Sequence, residues 1–251
     1  MQQLGSTRTA VRPNYTLLTP DTFVRAPLPG MTKGTAVVHV APALGAAFTQ
    51  YTAELEPGGQ LGALPDTLTQ RFLYVLAGEL QLETGSRPIR LRPGGFAYLP
   101  PGLTHTIKAK TKARAAVIEK VYAALDGTPP PDLLTGHEGT VTPQPLLGDS
   151  AIQVRSLIPA HPSFDLAVNT MTYEPGASLP MVEVHVMEHG LVMLDGGGIY
   201  RLGDDWHPTT AGDFIWMGPY CPQWFGALGK KPARYLIYKD WNRHPQGGGA
   251  S

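Results

Sequence analysis

Glu183, His185 and His189 lie close together in the stretch Glu183-Val184-His185-Val186-Met187-Glu188-His189, and Gln223 closes the later stretch Pro219-Tyr220-Cys221-Pro222-Gln223. Read as a strand, Val182 to His189 alternates its side chains, so Glu183, His185 and His189 project to one side. One carboxylate and two imidazoles suit a borderline divalent ion. The carboxamide oxygen of Gln223 pulls the preference toward the harder end, manganese or ferrous iron. The same triplet also suits a solvated strand face with scattered polar residues, so the rest of the chain has to decide.

The elements around these residues read as strands. Thr35 to Val40, Ala47 to Leu55, Phe72 to Leu76, Glu79 to Glu83, Ile89 to Leu91, Phe96 to Leu99 and Ala115 to Tyr122 are short β-branched, aromatic or apolar runs,. Turn sequences separate them, including Glu56-Pro57-Gly58-Gly59 and Arg92-Pro93-Gly94-Gly95,. Met1 to Pro13 is polar and reads as an arm. The stretch from Ala124 to about Gly148, rich in Pro, Gly and Thr, reads as a linker.

Composition agrees with an all-β chain. Among 251 residues, 29 Gly and 25 Pro stand beside only 16% charged residues, which suits short strands joined by tight turns,. Twenty basic residues balance 20 acidic ones, so no basic field argues for nucleic acid or an anionic membrane surface,. The single cysteine, Cys221, excludes an internal disulfide and fits a reducing compartment,. The first residues lack an apolar signal core, and no run reaches membrane-spanning length. A soluble, cytoplasmic protein is expected.

The chain also repeats itself. Glu174-Pro175-Gly176-Ala177 echoes Glu56-Pro57-Gly58-Gly59, and the same shift carries Gly78 to Gly196, Gly94 to Gly212 and His105 to Gln223. One constant offset through four landmarks implies an internal duplication without gaps across the core of each half.

These landmarks carry a resemblance. Gly94, Pro100, Gly102 and His105 match the second cupin motif, G-x5-P-x-G-x2-H, while Glu183, His185, His189 and Gly196 resemble the first. The chain resembles a bicupin, two tandem jelly-roll β-barrels. The expected division is residues 1–30 as an arm, 31–123 as the first barrel, 124–150 as a linker, 151–245 as the second barrel and 246–251 as a tail. Shifting the ligand positions back by the repeat gives Pro65, Thr67, Arg71 and His105. Proline cannot ligate through its side chain and arginine opposes a cation, so the first barrel is expected to be metal-free.

The order Glu, His, His, Gln in the second barrel further resembles the (S)-ureidoglycine aminohydrolase family, manganese bicupins of purine-ring catabolism. The resemblance implies that Glu183, His185, His189 and Gln223 hold one Mn²⁺, and that Tyr200, Tyr235 and Lys239 contact a small ureido acid together with Glu183. It also implies release of ammonia to give ureidoglycolate, with Glu183 and Lys239 as catalytic groups. Glu183 either shuttles a proton to the leaving amine or only ligates. Other classes remain open, namely another metal cupin (an oxygenase or isomerase on a small acid) or a non-catalytic small-molecule binder. A homo-oligomer is expected, with no nucleic-acid or membrane partner. Duller roles are expected elsewhere. Trp206, Trp216, Trp224 and Trp241 read as core or interface and Cys221 as a buried thiol. Glu188 faces away from His189, His207 and His244 read as surface residues, and Gly247 to Ser251 as a frayed tail.

Overall fold

The computed structural model describes residues 6–62, 66–85, 87–240 and 242–243. Strands dominate it. In chain order the first half gives β1 (Ala10–Arg12), β2 (Tyr15–Leu18), β3 (Met31–Val40), β4 (Thr49–Leu61), β5 (Thr69–Ala77), β6 (Leu80–Glu83), β7 (Ile89–Leu91), β8 (Gly95–Leu99), β9 (Thr106–Ala109), β10 (Ala113–Val121) and β11 (Leu134–His137). The second half gives β12 (Gln144–Leu146), β13 (Asp149–Ser156), β14 (Ala167–Tyr173), β15 (His189–Asp195), β16 (Gly197–Leu202), β17 (Asp205–Thr210), β18 (Phe214–Met217), β19 (Gln223–Ala227) and β20 (Ala233–Lys239). Every strand pairing is antiparallel. Among the described residues no helix is long and apolar enough to cross a membrane.

The chain forms two compact units, each built from curled antiparallel sheet of the jelly-roll kind, as the sequence leads one to expect. The first comprises Val24–Val141, Leu157–Asp165 and Asn242–Ser251. Its sheet runs β11-β8-β5-β10-β4-β9-β6-β7, with β3 on β4. Period-two alternation sends Tyr51, Ala53, Leu55, Leu73, Val75, Val117 and their neighbours into one apolar core,. The turn expected at Glu56–Gly59 is instead absorbed into β4. Lys33 alone faces those four residues where the β3–β4 register slips, and Lys33 and Gly58 both take positive φ there,.

The second unit comprises Met1–Phe23, Thr142–Ser156 and Leu166–Trp241. One sheet runs β1-β2-β18-β15-β20-β14-β13-β12, and a smaller one β17-β16-β19. The expected arm and linker are corrected here. Residues 10–18 form a hairpin on β18 whose Tyr15 and Leu17 enter this unit's core, and Arg8 pairs with buried Asp213 at 2.5 Å. The hairpin covers an edge that a barrel must protect. Within the expected linker, β11 pairs with β8 and β12 with β13. Leu157–Asp165 belongs to the first unit. There Asp165 accepts from Gln70 Nε2 (2.6 Å), Lys120 Nζ (2.9 Å) and the Ala123 amide (2.6 Å). Pro65, Trp241, His244 and the tail lie outside the described residues.

The duplication has a physical anchor at two glycines. Gly78 and Gly196 both take positive φ, 77° and 66°, and a Cβ on either would sit 2.2 or 2.5 Å from a carbonyl oxygen, that of Lys112 or Pro232. Only glycine fits such a place. The following alanines, Ala113 and Ala233, differ by 120 residues where the glycines differ by 118, so the repeat gains two residues beyond Gln223.

Candidate active site

The ligand-type residues do not sit on one strand. Between Glu183 and Glu188 the chain is irregular, and regular pairing begins only at His189, the first residue of β15. The correction has a simple physical reason. A strand advances about 3.3 Å per residue, so Glu183 and His189 on one strand would stand ~20 Å apart. No single ion bridges that distance. The bend folds the segment up, and the rings of His185 and His189 approach to 5.2 Å, edge to face.

Backbone bonds fix this bend. Glu183 and Gln223 exchange amide-to-carbonyl bonds of 2.8 and 2.9 Å, an isolated bridge that sets carboxylate and carboxamide side by side. The Tyr220 amide donates to the His185 carbonyl at 2.6 Å, with Tyr220 in the left-handed region at φ 60°. His185 Nε2 lies 3.3 Å from Glu183 Oε2.

The deeper residues line the interior of the same unit. His189 is buried, and burial pushes its pKa well below the ordinary imidazole range, helped by the charges of Lys239 and His185 and opposed by a backbone hydrogen bond at Tyr238. Lys239, last residue of β20, pairs with His189 in register. Burial lowers its ammonium pKa and the nearby Glu183 carboxylate pulls it back up. Tyr200, on β16, donates to Gln223 Oε1 at 3.4 Å. Tyr235, on β20, shares a 2.7 Å hydrogen bond with Tyr173. Burial drives both Tyr200 and Tyr235 well above the usual phenol range, and the Glu183 charge acts in the same direction. The seven residues singled out from sequence thus gather in one unit around Glu183. Tyr173 was missed, although its place at the end of an alternating strand was a signal for an inward side chain.

Do these residues fit a metal ion? Among the described residues, no three His, Cys, Asp or Glu side chains stand close enough together to hold one as they are. The chemistry of the set fits nonetheless. It offers one carboxylate, two imidazoles and a carboxamide oxygen,. The corresponding place in the first unit does not fit. His105 Nδ1 meets the Leu103 carbonyl at 2.7 Å and Nε2 meets Arg71 Nη1 at 2.7 Å. With Nδ1–H donating and Nε2 accepting, the single ring lone pair is already taken by Arg71. Arg71 continues to the Gly62 carbonyl (2.8 Å) and to Glu119 (2.9 Å), so a guanidinium occupies this interior.

Other residues take quieter places. Cys221 is buried, with burial raising its thiol pKa. Trp216 is buried and donates to Glu188 at 2.7 Å, and Trp224 donates to the Leu179 carbonyl at 2.7 Å, while Trp206 is exposed. His207, expected at the surface, is half-buried and lies 3.1 Å from the Tyr15 hydroxyl because the N-terminal hairpin packs over it.

Comparison with known proteins agrees with this division into two halves. The EutQ-like cupin domain family matches residues 43–122, and the cupin domain family matches residues 169–238. The crystal structure of protein Ylba from E. coli superposes with a TM-score of 0.84 at 29% identity, covering 95% of this chain and 96% of that one. An (S)-ureidoglycine aminohydrolase of Escherichia coli (strain K12) is 32% identical over 92% of this chain and 89% of its own. The (S)-ureidoglycine aminohydrolase of Arabidopsis thaliana is 38% identical over 96% of this chain and 80% of its own. On that likeness, carried through both barrels, the chain belongs to the (S)-ureidoglycine aminohydrolase family of bicupins.

Proposed function

We propose that this protein is a divalent-metal-dependent aminohydrolase that converts (S)-ureidoglycine to (S)-ureidoglycolate and ammonia. One observation carries the reading. In a chain of this family, the second unit sets Lys239, Tyr200 and Tyr235 around a carboxylate–imidazole–imidazole–carboxamide set, with Glu183 in both groups.

Glu183, His185, His189 and Gln223 would hold the ion, with Mn²⁺ favoured by the two oxygen donors among them. When bound, such an ion polarises substrate heteroatoms as a Lewis acid and orients the leaving group. The rest falls to the chain's own side chains. Lys239 brings a compact positive charge to the substrate carboxylate. Tyr200 and Tyr235, whose phenols burial keeps protonated, hold substrate oxygens by hydrogen bonds,. Glu183 carries a proton to the departing amine, so that the C–N bond breaks with loss of ammonia while water supplies the new hydroxyl. The buried walls, among them Leu191, Met193 and Phe225, limit bulk water,.

The test is ammonia release from (S)-ureidoglycine by protein of measured metal content, with dissolved oxygen followed in parallel. Stoichiometric ammonia with no oxygen uptake is expected. Oxygen uptake, or product without ammonia, would favour another metal-cupin activity instead.

A further inference from the structure

Tyr173 has no part in the scheme above, yet its hydroxyl shares a hydrogen bond with the Tyr235 hydroxyl. The two phenols come from neighbouring strands. Met171 of β14 faces Tyr235 of β20, and Tyr173 faces Ala233, so Tyr173 and Tyr235 are diagonal neighbours on the inward face,. Their oxygens are 2.7 Å apart, and both residues are buried. The Tyr173 ring stands edge-on to Phe225 at 5.0 Å, and Phe225 touches the rings of Tyr200 (5.4 Å) and Tyr235 (5.7 Å). Packed this way, the Tyr173 hydroxyl has little freedom to turn elsewhere.

Resting on the aminohydrolase reading, we propose that Tyr173 is a positioning residue: it donates its hydroxyl hydrogen to Tyr235 and so makes Tyr235 a hydrogen-bond donor to an acceptor oxygen of the substrate. The argument is a count of hydrogens. Two hydroxyls joined by one bond have two hydrogens, one shared and one free. If Tyr235 donated, the free hydrogen would be that of Tyr173, boxed in by rings, and a buried unpaired donor is costly. If Tyr173 donates, the free hydrogen belongs to Tyr235. That residue lies on the same strand face as Lys239, which pairs with His189, and so on the side where a ligand would sit. The substrate class offers acceptors there, a carboxylate and a ureido carbonyl. Tyr173 therefore pins the Tyr235 hydroxyl with its hydrogen, and not a lone pair, turned toward the substrate; without Tyr173 the hydrogen is still there but the hydroxyl is free to turn away,.

The experiment is a double-mutant cycle of Tyr173→Phe and Tyr235→Phe on the metal-loaded protein. Two readouts are used, KM and kcat for (S)-ureidoglycine and the Kd of N-carbamoylglycine by calorimetry. N-carbamoylglycine keeps the carboxylate and ureido group but lacks the leaving amine. Tyr173→Phe removes one oxygen and keeps the ring, and circular dichroism checks the fold. KM and Kd are expected to rise about five- to twentyfold, the range for one misdirected hydrogen bond, with a smaller change in kcat and unchanged metal content. In the Tyr235→Phe background the same substitution should add nothing, because it acts through Tyr235. Unmoved KM and Kd in Tyr173→Phe, even with a lower Tm, would reduce Tyr173 to packing and overturn the inference. An equal loss in both backgrounds would overturn it too. A wild-type protein that neither releases ammonia nor binds the probe would instead overturn the aminohydrolase reading, and the inference with it.

Discussion

Glu183 is the side chain on which the proposed chemistry turns, because it is a ligand type and its charge acts on Lys239, Tyr200 and Tyr235. Glu183→Gln keeps an oxygen that can ligate but cannot relay a proton near neutral pH. With metal in excess, kcat is expected to fall roughly 10²–10⁴-fold, the usual worth of acid–base assistance. Recovery to nearly wild-type turnover in stopped-time assays would leave Glu183 as a ligand alone. Metal analysis separates the two barrels. His185→Ala or His189→Ala should strip the ion from the purified protein, whereas His105→Ala should leave it, since both nitrogens of His105 are already engaged. Lys239→Met should raise KM and reduce turnover while the metal stays bound, because its ammonium is assigned to the substrate's charge. Loss of metal in that variant would show that Lys239 serves the ligands instead.

At the scale of elements, a bent segment and a tight glycine crossing hold the site together. Gly196 joins β15, which begins with His189, to β16, which carries Tyr200. Gly196→Ala would require a side chain at φ 66° with its Cβ 2.5 Å from the Pro232 carbonyl. The expected cost is roughly 1–3 kcal/mol from backbone strain alone, with more from the clash, read as a lowered urea midpoint. The element most relevant to function was the one least legible from sequence. Short apolar or β-branched runs bounded by turn residues identified strands such as 96–99 and 89–91 almost to the residue,. The segment 183–188 alternates in residue type, yet its backbone meets a partner at Glu183 and then bends. What bends it is the pairing with Gln223 and Tyr220, about 40 residues away in sequence.

For the molecule as a whole, buried histidines predict a pH dependence of stability. His39 is buried against Thr52 (2.9 Å), and burial, with the charge of Arg114, lowers its pKa to about 3. His105 and His189 are lowered in the same direction, chiefly by burial. Thr52, on β4, and Arg114, on β10, face His39 from the packed strands. The sign follows from proton counting. Above about pH 6.5, the ordinary imidazole value, folded and unfolded forms are both neutral and these groups cost nothing. As the pH falls from 6.5 toward 3, the unfolded chain binds protons that the folded one does not, so stability falls. Each such group contributes at most about 1.4 kcal/mol per pH unit in that window. Urea midpoints at pH 7.5, 6 and 5 should decline, and His39→Gln should make the decline shallower. A midpoint unchanged across that range would contradict the buried, neutral state of His39.

By itself the sequence determined the all-β class and the duplication, and its resemblance to a family supplied the residues proposed to hold metal and substrate. The class and the duplication rest on local rules, namely short strand-forming runs, glycine turns and a fixed offset between matching landmarks,. That Pro65, Thr67, Arg71 and His105 stand at the matching positions of the first half was equally legible. Only the tertiary structure decided that residues 10–18 complete the second unit, that 157–165 completes the first, and that Glu183 faces Gln223 across a single bridge. It alone joined Tyr173 to Tyr235. These are pairings between distant parts of the chain, chosen by which edges and buried hydroxyls need partners, and no local pattern encodes that choice.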